Sequence, residues 1–151
     1  SHHTTYMYAY SGEHYKIADK VRYINNELYT DEPNGLSGNE DCGQMSAWYI
    51  LSSMGFYPVN PSNGAYVFGS PLFDEVSLNI PGQNKFKISA KNNSDENIYI
   101  QSVSLNGEDY KYSYITHKQI LKGGELKFVM GPNPNKNFGT EKKYRPKSIV
   151  Y

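Results

Sequence analysis

The sequence predicts an α+β fold with its two kinds of element segregated along the chain, helices first and antiparallel strands after. Three observations carry that expectation. Apolar residues recur with helical spacing through the first third, apolar and polar residues alternate with period two in the second part, and Asn106-Gly107 and Gly123-Gly124 punctuate that second part as tight-turn signals. The chain is accordingly divided into residues 1–60, helical, and 61–151, an antiparallel β-region resembling a sandwich or half of a jelly roll.

The stretch "TTYMYAY", residues 4–10, reads as a short helix with Gly12 as its C-terminal cap. After "SGEH", Ile17, Val21, Ile24 and Leu28 fall at i, i+4, i+7 and i+11, one stripe of a helix, with Asp19, Lys20 and Asn26 off it. The two helices make an αα-hairpin. "TDEPNGLSGNED", residues 30–41, combines a proline with turn-forming steps and no apolar period, so it is a loop. The following "CGQMSAWYILSSMG" is apolar on nearly every face and closes at Gly55, which predicts a helix buried on all sides.

Strands follow. "KFKISAK" sets Phe86 and Ile88 against lysines, "IYIQSVSLNG" alternates Ile98, Ile100 and Val103 less strictly, and "ELKFVMG" puts Leu126, Phe128 and Met130 on one face. Six to eight strands are expected from about Gly64 onward, with "SYITHKQILKGGEL" as a hairpin. An over-buried helix with few helical neighbours, in a chain that opens on "SHHTTYMYAYSG" without methionine, suggests a piece of a longer protein.

Composition narrows the function classes. Fifteen basic and fifteen acidic residues cancel, so no electrostatic footprint for nucleic acid or an anionic membrane surface exists, and "EKKYRPK" reads as a solvated tail. Cys42 is the one cysteine, which rules out an internal disulfide. No run reaches the length of a membrane span, and the start has no signal-peptide pattern. Fifteen tyrosines supply rings with an apolar face and a polar tip, suited to hydrogen-bonding clefts and equally to half-exposed sheets.

The candidate chemistry lies at Asn39, Glu40 and Asp41, at the mouth of the apolar helix. A carboxylate there accepts orphan backbone N–H groups and feels the positive end of the helix dipole, so it stays ionised at neutral pH. It serves equally as a plain cap, as a general base on water, or as an oxygen ligand of a hard cation. Asn39 and Gln44 can orient a water or a hydroxyl-rich ligand, and Gly38 and Gly43 admit close backbone approach. His2 and His3 are adjacent and point to different sides of a helix, so they do not share one metal. His14 and His117 read as surface residues. Asn92-Asn93-Ser94 is a glycosylation sequon in a turn. No Ser/His/Asp set, phosphate loop or cysteine cluster is present, and the charge of Asp41 disfavours a Cys42 thiolate.

The long motif "GNEDCGQMSAWY", embedded in "GLSGNEDCGQMSAWYILSSMGFYPVNP" and followed by "YVFGSPLF", resembles glycoside hydrolase family 92. The similarity runs on through "FKISAKNNSDENIYIQSVSLNG" and "FVMGPNPNKNFG", and "SHHTTYMYAYSGEHYK" resembles the family's segment after an Asn-Glu-Pro triplet, so essentially the whole chain is covered. These are calcium-dependent, exo-acting, inverting α-mannosidases. The resemblance implies that residues 1–60 are the last helices and catalytic loop of an (α/α)6 barrel, and that 61–151 close the parent enzyme. It implies Asp41 as general base, Asn39 in support where some relatives carry a second Asp, and Glu40 as the rival candidate. It places His2 and His3 at the sugar, where the loop reading also puts Gly38 and Gln44 as substrate-binding residues, with calcium ligands unassigned and the general acid upstream.

The expected function is therefore part of an α-mannosidase, α-1,2-type, acting on mannose-containing glycans, inactive without the remainder of the parent enzyme and exported to the periplasm or cell surface. Two other classes stand beside it. The β-region could be a carbohydrate-binding module, with Tyr110, Tyr112 and Tyr114 as a stacking surface, or a structural brace for the barrel.

Overall fold

The computed structural model describes residues 2–82 and 85–148; the outermost residues of both predicted segments, Ser1 and 149–151, lie outside the described residues, as do 83 and 84. Thr4–Met7 form a 3₁₀ turn that runs into helix α1, Tyr8–Ser11. The predicted single helix is thus half 3₁₀, and it ends as expected on Gly12, whose φ of 84° needs a residue without Cβ. Helix α2, Lys16–Glu27, buries Ile17 and Val21 completely, while Ile24 and Leu28 are half-buried. Helix α3 spans Gln44–Met54.

Strand β1, Phe56–Asn60, pairs antiparallel with β2, Ala65–Phe68, which pairs with β7, Tyr114–Thr116. The second sheet holds β3, Glu75–Leu78; β4, Phe86–Lys91; β5, Tyr99–Leu105; β6, Glu108–Asp109; and β8, Gly124–Gly131, in the order β3-β4-β8-β5-β6. Both sheets are antiparallel except for the parallel pair β4–β8. Seven strands lie beyond Gly64 among the described residues, within the expected range.

Period-two alternation makes the three-stranded sheet a shared wall. Phe56 and Phe68 are register partners and face the five-stranded sheet, joining Phe86, Ile88, Leu126, Phe128 and Met130 in one core. Tyr57 and Val67, the next pair, face the helices and join Tyr6, Ala9, Ile17, Val21 and Trp48 in a second core. Buried Arg22 adds a polar tie: its guanidinium donates to Ser70 Oγ at 2.9 Å, to the Pro71 carbonyl at 2.6 Å and to Asn93 Oδ1, joining α2 to the β-region. Desolvation lowers its pKa, and Asp95 and Asp74 oppose that shift.

Four expectations are corrected. The apolar helix α3 is not buried all round: Trp48, Ser52, Ser53 and Met54 are, whereas Ile50 is 53% exposed and Ser46 and Ala47 are open to solvent. His14 is buried, not superficial, because Nε2–H donates to the Phe68 carbonyl at 2.8 Å and Phe138 packs edge-on against the ring; His117 is exposed as expected. Residues 113–126 are not a hairpin. Thr116 and Gln119 form a capping box that starts helix α4, His117–Leu121, and Gly123-Gly124 then carries the chain from one sheet to the other. The tail is only partly solvated, since its lysines are exposed while the Tyr144 carbonyl accepts the Ser113 N–H at 2.9 Å and Arg145 Nε donates to the Thr140 carbonyl at 2.9 Å. Asn106-Gly107 does close the β5–β6 turn, with φ of 54° and 82°.

Candidate active site

The loop before α3 has a local geometry of its own. Asp41, Cys42 and Gly43 lie in succession at φ of 55°, 58° and 91°, an arch of three left-handed residues. For the two non-glycine members this conformation costs on the order of 1–3 kcal/mol each, the kind of strain that clusters at functional sites. Within it, Asp41 and Glu40 separate in role. Glu40 Oε1 accepts the Ser46 N–H at 3.0 Å, and the Glu40 carbonyl accepts the Met45 N–H at 3.1 Å. The N-cap position is Gly43, the free N–H groups of Met45 and Ser46 in the first turn are taken up by Glu40, and Asp41 lines a cavity.

That cavity, of about 300 Å³, is bounded by His2, Ser37, Asn39, Asp41, Met45 and Trp48, with Ile24, Leu28 and Tyr29 at its apolar side. The structure thus brings His2, Asn39 and Asp41 together. His3 is exposed at the start of the 3₁₀ turn and does not line the cavity, and neither do Gly38, Glu40 and Gln44. Asp41 is the sole carboxylate on the wall among the described residues.

Aromatic packing holds the wall. Trp48 Nε1–H donates to the His2 carbonyl at 2.8 Å, His2 Nε2 lies 2.8 Å from Met45 Sδ, and the Tyr29 hydroxyl donates to the Met45 carbonyl at 2.9 Å. The Tyr29 and Trp48 rings are nearly coplanar in direction, 6° apart, with centroids at 6.0 Å. Burial, helped by the nearby charge of Glu40, pushes the Tyr29 hydroxyl up to about 12, so it remains a donor across the ordinary pH range. Tyr29, Ser37, Met45 and Trp48 escape a reading of the sequence as site residues. The aromatic positions look like core, and only the proximity of the helix mouth could mark them. Tyr110, Tyr112 and Tyr114 lie elsewhere, packed at an angle to one another with centroids 5.5 and 5.7 Å apart rather than laid out as a flat platform.

Residues 1–132 match the family model of the glycosyl hydrolase family 92 catalytic domain. The chain belongs to glycoside hydrolase family 92. A family 92 alpha-mannosidase from Bacteroides thetaiotaomicron superposes with a TM-score of 0.92 at 38% identity, covering 99% of this chain and 20% of that one. A family 92 inverting mannosidase from the same organism gives 0.91 at 40% identity, covering 97% and 20%. An uncharacterized secreted glycosidase of Arthroderma benhamiae is 31% identical over 96% of this chain and 19% of its own length. This family 92 chain therefore spans about a fifth of the length of these relatives.

Calcium requires six to eight oxygen ligands. Among the described residues no three His, Cys, Asp or Glu side chains cluster as a metal site, and the side chains on the cavity wall offer one carboxylate, one amide and the hydroxyls of Ser37 and Tyr29. No helix among the described residues is long and apolar enough to cross a membrane.

Proposed function

We propose that this chain is the closing part of the catalytic domain of an exo-acting, inverting α-mannosidase of α-1,2 type, with its helices completing an (α/α)6 barrel and Asp41 as the general base. The observation that carries this reading is the division of labour between neighbours: the Glu40 carboxylate is engaged by the Ser46 N–H, while Asp41 stands on the cavity wall with Asn39 and His2.

Inversion needs a base that takes a proton from water as that water attacks the anomeric carbon, and an acid on the other side of the ring that protonates the leaving oxygen. Asp41 has the chemistry for the first task, and Asn39 can orient the same water through its amide. The His2 imidazole can hydrogen-bond a sugar hydroxyl, while the Trp48 and Tyr29 walls keep bulk water from one side. The acid comes from the remainder of the parent enzyme, so the chain alone is inactive. Calcium dependence rests on the family, with its ligands unassigned. Mannose-containing glycans as substrate and export from the cell belong to the same reading, supported by the mannosidase neighbours and the secreted relative.

The test is mannose release from α-mannobiosides by the intact enzyme and by Asp41→Asn, each with calcium and with chelator. Loss of a general base should lower turnover by roughly 10²–10⁴-fold while substrate still binds. A variant within a few-fold of wild type would remove Asp41 from the role of base.

A further inference from the structure

The structure assigns Glu40 a role that no resemblance supplies: we infer that it is a positioning residue, whose side chain clamps the left-handed arch and so fixes where Asp41 stands. The inference rests on the reading of Asp41 as base, and it removes Glu40 as the rival base.

The reasoning is geometric. Three successive residues with positive φ do not persist on local preference, because Asp41 and Cys42 both carry a Cβ that the left-handed region disfavours. Something must hold the two ends of the arch. On one side is Glu40, on the other the first turn of α3, and three hydrogen bonds join them. The Met45 N–H reaches the Glu40 carbonyl at 3.1 Å, the Ser46 N–H reaches Glu40 Oε1 at 3.0 Å, and the Gln44 N–H reaches the Asp41 carbonyl at 3.2 Å. Two of the three end on Glu40, and one of those uses its side chain. The helix end is in turn fixed to the cavity wall by the Tyr29 hydroxyl on the Met45 carbonyl and by Trp48 Nε1–H on the His2 carbonyl. A carboxylate already receiving a backbone N–H, and absent from the cavity wall, is badly placed to take a proton from a water inside that cavity. It is well placed to keep its neighbour from moving.

Glu40→Gln and Glu40→Ala separate the two roles. Glutamine keeps a carbonyl oxygen that can accept the Ser46 N–H but cannot act as a base. In the intact enzyme Glu40→Gln should lower kcat by no more than roughly fivefold, the difference between a charged and a neutral acceptor, with the acid limb of the pH profile in place. Glu40→Ala should lose on the order of 10–100-fold, the effect of misplacing a reacting group by about 1 Å. Amide hydrogen exchange gives a readout independent of turnover: protection at Ser46 should fall in Glu40→Ala and persist in Glu40→Gln. If Glu40→Ala does not fold, an active Glu40→Gln still supports the clamp, because the carbonyl oxygen then suffices. A Glu40→Gln enzyme as inactive as Asp41→Asn would overturn the inference, as would unchanged exchange across residues 40–46 in Glu40→Ala. A fully active Asp41→Asn enzyme would instead sink the base assignment, and the exchange result would still judge the clamp.

Discussion

The five-stranded sheet and the arch at Asp41 are held in place by opposite means. In the sheet, Phe86, Ile88, Leu126, Phe128 and Met130 are almost fully buried and each has many interchangeable apolar neighbours. The arch is exposed, carries two strained residues and depends on a handful of directional hydrogen bonds. Burial tolerates local error because it is non-directional and summed over area; a clamp made of three hydrogen bonds does not. The difference predicts that stability and activity will respond to mutation in different places.

Phe128→Ala is the largest expected effect. The side chain packs edge-on against Phe68 at 5.1 Å and lies under Gly55, so truncation leaves a cavity at the meeting of both sheets. It should destabilise the fold by about 3–5 kcal/mol, measured by urea denaturation. Asp41→Asn, on an exposed residue, should move stability by less than about 0.5 kcal/mol while lowering turnover by roughly 10²–10⁴-fold. A large stability loss in Asp41→Asn would erase the contrast between the two regions.

His14 tests the seam between the regions, because its ring on the helical side donates to a backbone carbonyl of β2. Burial lowers its pKa from 6.5 to about 4, against the opposing effect of the Phe68 carbonyl. Between those two values the unfolded chain binds a proton that the folded chain does not, so stability rises with pH across that window. The contribution is complete above about pH 6.5 and is lost as pH falls toward 4, amounting to about 3 kcal/mol at 1.36 kcal/mol per unit. Denaturation measured from pH 7 to 4 should show this slope, and His14→Gln, which keeps a donor for the carbonyl, should flatten it. An unchanged slope in His14→Gln would mean that the proton is taken up elsewhere.

Where the sequence is legible follows the same division. The faces of β4 and β8 are readable because burial on one side imposes period two on Phe86 and Ile88 and on Leu126, Phe128 and Met130. The parallel pairing of these two strands is not, since nothing local to residues 86–91 refers to 124–129. Thr116 and Gln119 carried a readable helix start, but Gly123-Gly124 was the louder turn signal and suggested a hairpin. His14 looks superficial among Glu13, Tyr15 and Lys16, because the groups that bury it, Phe68 and Phe138, are distant in sequence. At the site, Asn39, Glu40 and Asp41 stand out as polar residues at a helix mouth. Which of the two acids accepts an N–H group of the first helical turn with its side chain depends on φ at residues 41–43, and only Gly43 of those three announces a left-handed conformation.

Cys42 gives the smallest effect and the finest test of the contrast. Its φ of 58° costs a residue with a Cβ about 1–2 kcal/mol, and the side chain is exposed, so little packing offsets this. Glycine removes that strain but brings an unfolded-state entropy penalty of about 0.5–1 kcal/mol. The strain is the larger of the two, and Cys42→Gly should therefore stabilise the fold by about 0.5–1 kcal/mol. The same exchange in the sheet, Val103→Gly, removes a buried side chain from β5 and adds the entropy penalty without relieving any strain, so its sign is reversed. Opposite shifts in the urea midpoint for these two variants would show that the arch is held against its own preference and the sheet in accord with it. If Cys42→Gly destabilised the protein instead, the left-handed conformation at residue 42 would carry no strain, and the clamp assigned to Glu40 would have nothing to restrain there.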